Sequence, residues 1–590
     1  MVRIEYLSES RLVRLSSEVN DKGWGQIRRA CVEASDEFVD EGPLQFVLPW
    51  WSFLLTRQSI RYLASQYNLE LSVDKEASQL LSRALNKAKE YHEEGKELYS
   101  SSEIKSELAA RGFVREITSE QERNIYKLIK FPSAATFSVP GAGKTTEALA
   151  YFTLHQTTPT YLIVVSPKNA FAAWEEQVKN CLPSLSSDIS RLTGGASNIR
   201  GLLAKPKRVL LITYQQIPTA IDLIGSFINQ HSTMLFLDES HRMKRGTTGV
   251  IGKAILSLAH LPVNKLIMSG TPLPNSIQDL IPQFNFLYPE VKADEYTVKD
   301  QIQRVFVRTT KSELKLPRLD RILTPINLTD SQRYLYTLMR SEAAREAAQL
   351  KTTDRIALRR FSRSVLRLIQ LVSNPMLLAK HPIAHEGILG QILSEEDSPK
   401  IEYVCNRARE LAFLGRKTVI WSTFVENVEL IAARLSDLRA EFIHGGVEAG
   451  SEEEEDTREA KIRRFHDDPH TYVLVANPAA CSEGISLHTV CHHAIYIDRN
   501  FNAAQFLQSE DRIHRFGLSQ DQLTTVEIIY SPDTIDEIVD SRLRAKVKKM
   551  SEVLDDPDLN IDPVQLDPDN TELENEDVSE VIQYLVTENK

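Results

Sequence analysis

Thr136-Phe137-Ser138-Val139-Pro140-Gly141-Ala142-Gly143-Lys144-Thr145-Thr146 decides how this chain is read. It follows a run that can end a strand and leads into the helix-forming Glu147-Ala148-Leu149-Ala150-Tyr151. A glycine-rich turn between strand and helix suits a phosphate. Gly141 and Gly143 let backbone N–H groups close around phosphate oxygens where a Cβ would block the approach. The helix N-terminus adds free donors and partial positive charge. Lys144 supplies a point charge for the β/γ-phosphates, and the Thr145 hydroxyl is placed to hold Mg²⁺. Pro140, Ala142 and Thr146 complete the predicted loop. The strict pattern asks for Gly at 138; this chain has Ser.

Short apolar runs recur beyond the loop: 162–165, 209–212, 234–237 and 265–268, then 419–421, 472–475, 494–497 and 526–529. Continuous aliphatic runs alternating with helical stretches predict parallel sheets covered on both faces. The fold class is therefore α/β, with two parallel-sheet lobes. The predicted division is a mostly helical N-terminal region (1–115), a first lobe (116–296), a helical inter-lobe segment without strand signals (297–395), a second lobe (396–550) and an acidic tail (551–590). Ligands of such sheets bind at the strands' carboxyl ends. Asp238-Glu239 stands at such an end. There Asp238 would hold Mg²⁺, partly through water, and Glu239 would orient an attacking water. In the second lobe, Arg512 and Arg515 stand three apart and are expected on one helical face.

The 590 residues exceed one hydrophobic core. No apolar run approaches the ~18 residues of a membrane span, and no membrane partner is expected. Five scattered cysteines suggest a reducing, cytoplasmic setting. The net charge is −11, but residues 551–590 hold thirteen Asp/Glu and one Lys, which leaves the rest near neutral. The tail reads as disordered, apart from an amphipathic piece at 578–585 suited to docking. Trp50, Trp51 and Phe53 read as core. A helix is predicted from Asp74 to Tyr91, with Ala77, Leu80, Leu81, Ala84, Leu85 and Ala88 on its apolar stripe.

Taken in order, these motifs resemble the SWI/SNF-type DNA translocases of helicase superfamily two. Gln121 resembles the adenine-reading Q motif. Ser166-Pro167-Lys168 with Trp174 resembles motif Ia, and Ile212-Thr213-Tyr214 motif Ib. Asp238-Glu239-Ser240-His241 resembles motif II, and Ser269-Gly270-Thr271-Pro272 with Asn275 motif III. Asn374-Pro375 with Leu377 resembles the Asn/His-Pro-x-Leu element. Trp421-Ser422-Thr423-Phe424 resembles motif IV. Ala480 to Leu487, including Gly484, resembles motif V, with Cys481 and Ser482 where the family favours Gly. Gln508 to Gly517 resembles motif VI, and Leu518 replaces the family's final Gln.

The resemblance implies two RecA-like lobes with ATP between them. Lys144, Glu239, Arg512 and Arg515 would be catalytic, the arginines as fingers on the γ-phosphate. Gln121, Asp238, Gly484 and Gln508 would join the loop in binding ATP. It also implies movement along double-stranded DNA, with Lys168, Thr213 and Thr423 as candidate DNA contacts. The alternatives are a strand-separating DNA or RNA helicase, or an ATP-switched DNA-binding subunit of a restriction or phage-defence complex with a nuclease partner. The compact form without histone-reading modules suggests a bacterial or phage-borne member, nucleoid-associated in the cytoplasm.

Overall fold

A computed structural model describes the chain except residues 36, 94, 157–158, 274–275, 350–354, 381–384, 395–397, 449–455, 482–484, 502, 557–574 and 588–590. The chain forms two compact units, Met1–Glu313 and Leu314–Lys590.

The first unit begins with a sheet that the sequence reading did not anticipate. Strands β1 (Val2–Leu7), β2 (Leu12–Ser17), β3 (Val39–Asp40), β4 (Gln45–Pro49) and β5 (Leu71–Val73) lie in the order β3-β4-β2-β1-β5. The region is thus α+β. β3 and β5 have only two and three residues, too few for a pattern to register, while β1 and β2 alternate buried and more exposed residues and so contain no unbroken aliphatic run. The helix Trp50–Gln66 starts at Pro49, and Trp50, Trp51 and Phe53 are core residues. The helix Lys75–His92 is capped by Asp74, whose carboxylate accepts from the Ala77 N–H at 2.6 Å. Ala77, Leu80 and Ala84 face the core, but Leu85 points to solvent. This layer is not a free-standing domain. Arg11 pairs with Asp222 at 2.8 Å, Lys87 donates to the Pro262 carbonyl at 2.9 Å, and Tyr91 donates to Gln301 O at 3.0 Å.

The second sheet holds β6 (Ser133–Thr136), β7 (Tyr161–Ser166), β8 (Ile189–Arg191), β9 (Val209–Thr213), β10 (Thr233–Asp238), β11 (Asn264–Met268) and β12 (Phe306–Val307). Their order is β12-β6-β11-β10-β7-β9-β8, and every pairing is parallel. The four apolar runs predicted here are β7, β9, β10 and β11. β9 and the first five residues of β10 are buried throughout, as strands covered on both faces require.

In the second unit, β13 (Leu319–Pro325), β14 (Lys417–Trp421), β15 (Glu441–Ile443), β16 (Val473–Ala476), β17 (Cys491–Tyr496) and β18 (Thr524–Tyr530) form a second all-parallel sheet, in the order β13-β18-β17-β14-β16-β15. The two parallel α/β sheets of a RecA-like pair are therefore present. The strand-free reading of 297–395 needs correction, because β12 and β13 fall inside it. β12 is two residues long, and β13 is a half-exposed edge strand whose Asp320 and Arg321 break any apolar run. The division between units also falls after Glu313 rather than at 296.

In the tail, the amphipathic piece expected at 578–585 is helical and docked. A helix over Asn575–Thr587 packs on the helices Asp330–Ala348 and Ile535–Leu554, burying Val578, Val581 and Leu585. Asp577 is buried between Arg542 and Lys546, each at 2.8 Å. The acidic residues between 557 and 574 lie outside the described residues.

Candidate nucleotide site

The phosphate loop adopts the backbone its glycines permit. Gly141 and Gly143 have φ of +88° and +85°, and Gly143 caps the helix Lys144–His155. The N–H groups of Lys144, Thr145 and Thr146 lie in the first helical turn, where no intrahelical acceptor exists. Lys144 Nζ donates to Ser138 O at 2.9 Å, so the ammonium is folded over the loop.

Gln121 braces this loop from beneath. It forms a capping box with Thr118, and its Nε2 donates to the Ala142 carbonyl at 3.1 Å. A Cβ on Gly143 would lie 2.2 Å from that Nε2. The close approach of an amide side chain, as well as the positive φ, demands glycine here. In this structure the Gln121 amide serves loop and cap.

A buried polar cluster that the sequence reading did not single out lies behind the loop. Glu147 accepts from Thr136 Oγ1 at 2.6 Å and from Asn124 Nδ2 at 2.7 Å. Asn124 also donates to Thr309 Oγ1 at 2.9 Å, and the Thr309 N–H donates to Ser138 Oγ at 3.0 Å. Ser138, the departure from the strict loop pattern, is thus an acceptor for the strand segment after β12. Burial pushes the Glu147 carboxyl up to about 7, against the hydrogen bonds from Thr136 and Asn124 that pull it down. Glu147 reads in sequence as an ordinary helix residue, because only the tertiary fold turns it inward.

The acid pair ends β10. Asp238 accepts from Trp174 Nε1 at 2.9 Å, and its backbone carbonyl accepts from Tyr214 OH at 2.8 Å. The motif Ia Trp174 therefore orients the proposed metal-binding carboxylate, and the motif Ib Tyr214 holds the backbone that carries it. Glu239 holds φ +54°, a left-handed conformation that costs a non-glycine residue of order 1–3 kcal/mol. It faces His241 Nδ1 at 3.4 Å and Ser269 Oγ at 3.5 Å, and His241 Nδ1 lies 3.0 Å from the same Ser269 Oγ. Burial lowers the His241 pKa well below its ordinary value, so the imidazole is neutral at pH 7. Ser240 donates to Gln283 Oε1 at 2.6 Å, and Gln283 donates to the Pro272 carbonyl at 2.6 Å. Motif II and motif III are thereby joined. A Cβ on Gly270 would stand 3.1 Å from Pro140 and 3.8 Å from Lys144 Nζ. Loop, acid pair and motif III thus meet at the carboxyl ends of β6, β10 and β11.

This set fits Mg²⁺ bound with a nucleotide. Thr145 and Asp238 are the hard oxygen donors, and Mg²⁺ takes few protein ligands beside phosphate and water. Among the described residues no group of three His, Cys, Asp or Glu forms a protein cage for a metal.

In the second unit the helix Ala503–Glu510 ends before the arginines. Arg512 and Arg515 therefore do not share a helical face, contrary to the sequence expectation. The Ile513 and His514 N–H groups both return to the Glu510 carbonyl, so the chain coils into a tight turn. Arg321 on β13 grips the Glu510 carboxylate through two bonds, at 2.7 and 2.9 Å, and so anchors that turn. Arg512 Nε donates to Gln508 O at 2.8 Å and Nη1 to Ile485 O at 3.1 Å. Its guanidinium is oriented by motif V and VI backbone. Burial lowers the Arg515 pKa from its ordinary value. Gln508 is buried, while Gly484 and Asn275 lie outside the described residues.

The three predicted DNA contacts differ. Lys168 is exposed on the turn Lys168–Ala170. Thr213 is buried and donates to Gln216 Oε1 at 3.1 Å. The Thr423 hydroxyl donates to Asp498 Oδ1 at 2.6 Å. Local hydrogen bonds thus engage both threonine hydroxyls, and Lys168 alone of the three presents its side chain to solvent.

With that geometry in place, residues 137–303 match the SNF2-related domain and residues 399–517 match the helicase conserved C-terminal domain. A yeast relative, nuclear protein STH1/NPS1, is 22% identical over 460 residues, covering 69% of this chain and 32% of the relative. Mouse chromodomain-helicase-DNA-binding protein 1-like is 24% identical over 445 residues, covering 70% and 47%. Human lymphoid-specific helicase is 22% identical over 506 residues, covering 69% and 59%. The chain spans about a third to three-fifths of these relatives' length. All three are eukaryotic proteins, so they lend no support to the bacterial or phage-borne source expected from the compact form, and none of their names mentions a nuclease or a defence complex. The chain carries, in order, a segment matching SNF2-related domains and a segment matching helicase conserved C-terminal domains.

Proposed function

We propose that this protein is a DNA-stimulated ATPase that translocates on double-stranded DNA. The observation that carries the reading is the meeting of the phosphate loop, Asp238-Glu239 and Ser269-Gly270-Thr271 within one unit. The two domain matches and the relatives named for helicase and DNA binding support it.

Each residue has a role in this reading. The loop N–H groups and Lys144 hold the β- and γ-phosphates. Thr145 and Asp238 hold Mg²⁺, which supplies charge neutralisation for phosphoryl transfer. Trp174 fixes the Asp238 carboxylate, and Glu239 orients the attacking water, with neutral His241 and Ser269 setting its rotamer. Arg512 and Arg515 are the arginine fingers, a contribution worth roughly 10³–10⁵ in rate where measured. Phosphate contacts move the motor without reading sequence.

The test is a phosphate-release assay with duplex DNA, single-stranded DNA, forked DNA and RNA. Duplex should stimulate turnover most, Lys144→Ala should abolish it together with nucleotide binding, and Glu239→Gln should abolish turnover while nucleotide still binds. Equal rates with and without every nucleic acid would overturn the reading. Strand displacement on tailed duplexes would assign the chain instead to strand-separating helicases.

A further inference from the structure

The helix Arg355–Ser373 in the second unit contains five arginines and no acidic residue. In a chain of net charge −11 that is a local reversal. Arg359, Arg363 and Arg367 recur every fourth residue, and Arg360 adjoins them. At about 100° and 1.5 Å per residue, these four fall within an arc of about 100° and a length of about 12 Å. Phe361, Val365, Leu368, Ile369 and Val372 are buried on the opposite side, where the helix packs on Asp330–Ala348 and Ile535–Leu554. Arg359, Arg360 and Arg363 are exposed and Arg367 is half-buried. Among the described residues none of the four pairs with a carboxylate.

We propose that Arg359, Arg360, Arg363 and Arg367 form a ridge that binds the phosphate backbone of duplex DNA. The inference rests on the translocase reading and adds a contact surface outside the helicase motifs. Guanidinium groups suit phosphate because they are always charged and present paired donors. A row of them with no acid beside it has no partner within its own helix, and DNA supplies a dense line of charge. An anionic membrane fits less well. A helix that lies in a bilayer surface needs its apolar face free to insert, and here that face is the one packed against the unit. An acidic protein segment would be met by the same charges, and in that case the glutamine variant would bind duplex with the wild-type affinity and salt slope.

The experiment measures duplex affinity of the full chain by fluorescence anisotropy from about 50 to 200 mM salt. The triple variant Arg359→Gln/Arg360→Gln/Arg363→Gln should bind at least tenfold more weakly at low salt. Its log–log salt slope should be shallower by about 2–3, since each lost phosphate contact removes about 0.9. The corresponding triple lysine variant should keep the slope, which separates charge from helix integrity. DNA-free ATP turnover should not change. A wild-type slope in the glutamine variant, or a lysine variant as weak as it, overturns the ridge while leaving the translocase reading in place. A wild type that binds no duplex removes both. Anionic phosphatidylserine vesicles binding wild type but not the glutamine variant would also overturn the proposal, in favour of a membrane contact.

Discussion

The two parallel sheets are built alike and end differently. At the carboxyl end of β6 the first unit places small residues: Gly141, Gly143 and, from the neighbouring β11, Gly270. Backbone N–H groups stay accessible there. The second unit closes the carboxyl end of β14 with a buried carboxylate. Asp498, only 3% exposed, accepts from the Ser373, Ser422 and Thr423 hydroxyls at 2.7, 2.7 and 2.6 Å, and from the Thr423 N–H at 2.7 Å. Asn427 and Asn374 extend the cluster. One sheet end leaves the N–H groups of a helix's first turn without an intrahelical acceptor, while the other directs its donors to its own carboxylate. The sheets supply position, and the residues at the strand ends decide whether a ligand enters.

That contrast can be broken from either side. Gly143→Ala should have the largest effect on nucleotide binding. The new Cβ meets the Gln121 amide, and an alanine is strained at φ +85°. Nucleotide affinity should fall at least tenfold by fluorescent-nucleotide titration, with the second unit's stability unchanged. Asp498→Ala should come next. It removes the acceptor of at least four hydrogen bonds and strands buried hydroxyls, a loss of roughly 3–5 kcal/mol. Chemical denaturation should show that loss, while nucleotide still binds the first unit. Retained stability in this variant would mean that Asp498 does not fill its sheet end as described.

The smallest effect concerns Glu147. Its folded pKa is raised from 4.5 to about 7 by burial. The folded state therefore holds the proton more tightly than the unfolded chain. Its contribution to stability is fully present below about 4.5, is lost as pH rises to about 7 and is flat above. The swing is at most about 3 kcal/mol. Glu147→Gln should flatten this profile in thermal melts between pH 5 and 8. An unchanged profile would show that Glu147 is not the titrating group.

Much of the site was legible in the chain because its chemistry is local. Gly141 to Thr146 sit on one turn, and Asp238-Glu239 follow an apolar tetrad directly, so spacing alone displays them. β7, β9, β10 and β11 were legible because strands covered on both faces leave unbroken aliphatic runs. β12 and β13 were not, because a two-residue strand and a charged edge strand carry no such run. The N-terminal sheet escaped because β1 and β2 are interrupted by polar residues instead of forming unbroken runs, and β3 and β5 are two and three residues long.

The sequence by itself determined which residues are suited to phosphate and metal, since glycine, lysine and paired acids act through their own atoms and immediate neighbours. Only the tertiary structure decided their support. Trp174 reaches Asp238 across 64 positions, and Arg321 reaches Glu510 across 189. It also decided that Arg512 and Arg515 leave the helix, and which helices the amphipathic end of the tail docks on. Burial and long-range hydrogen bonds depend on which surfaces the fold brings together, and no window of sequence contains both partners.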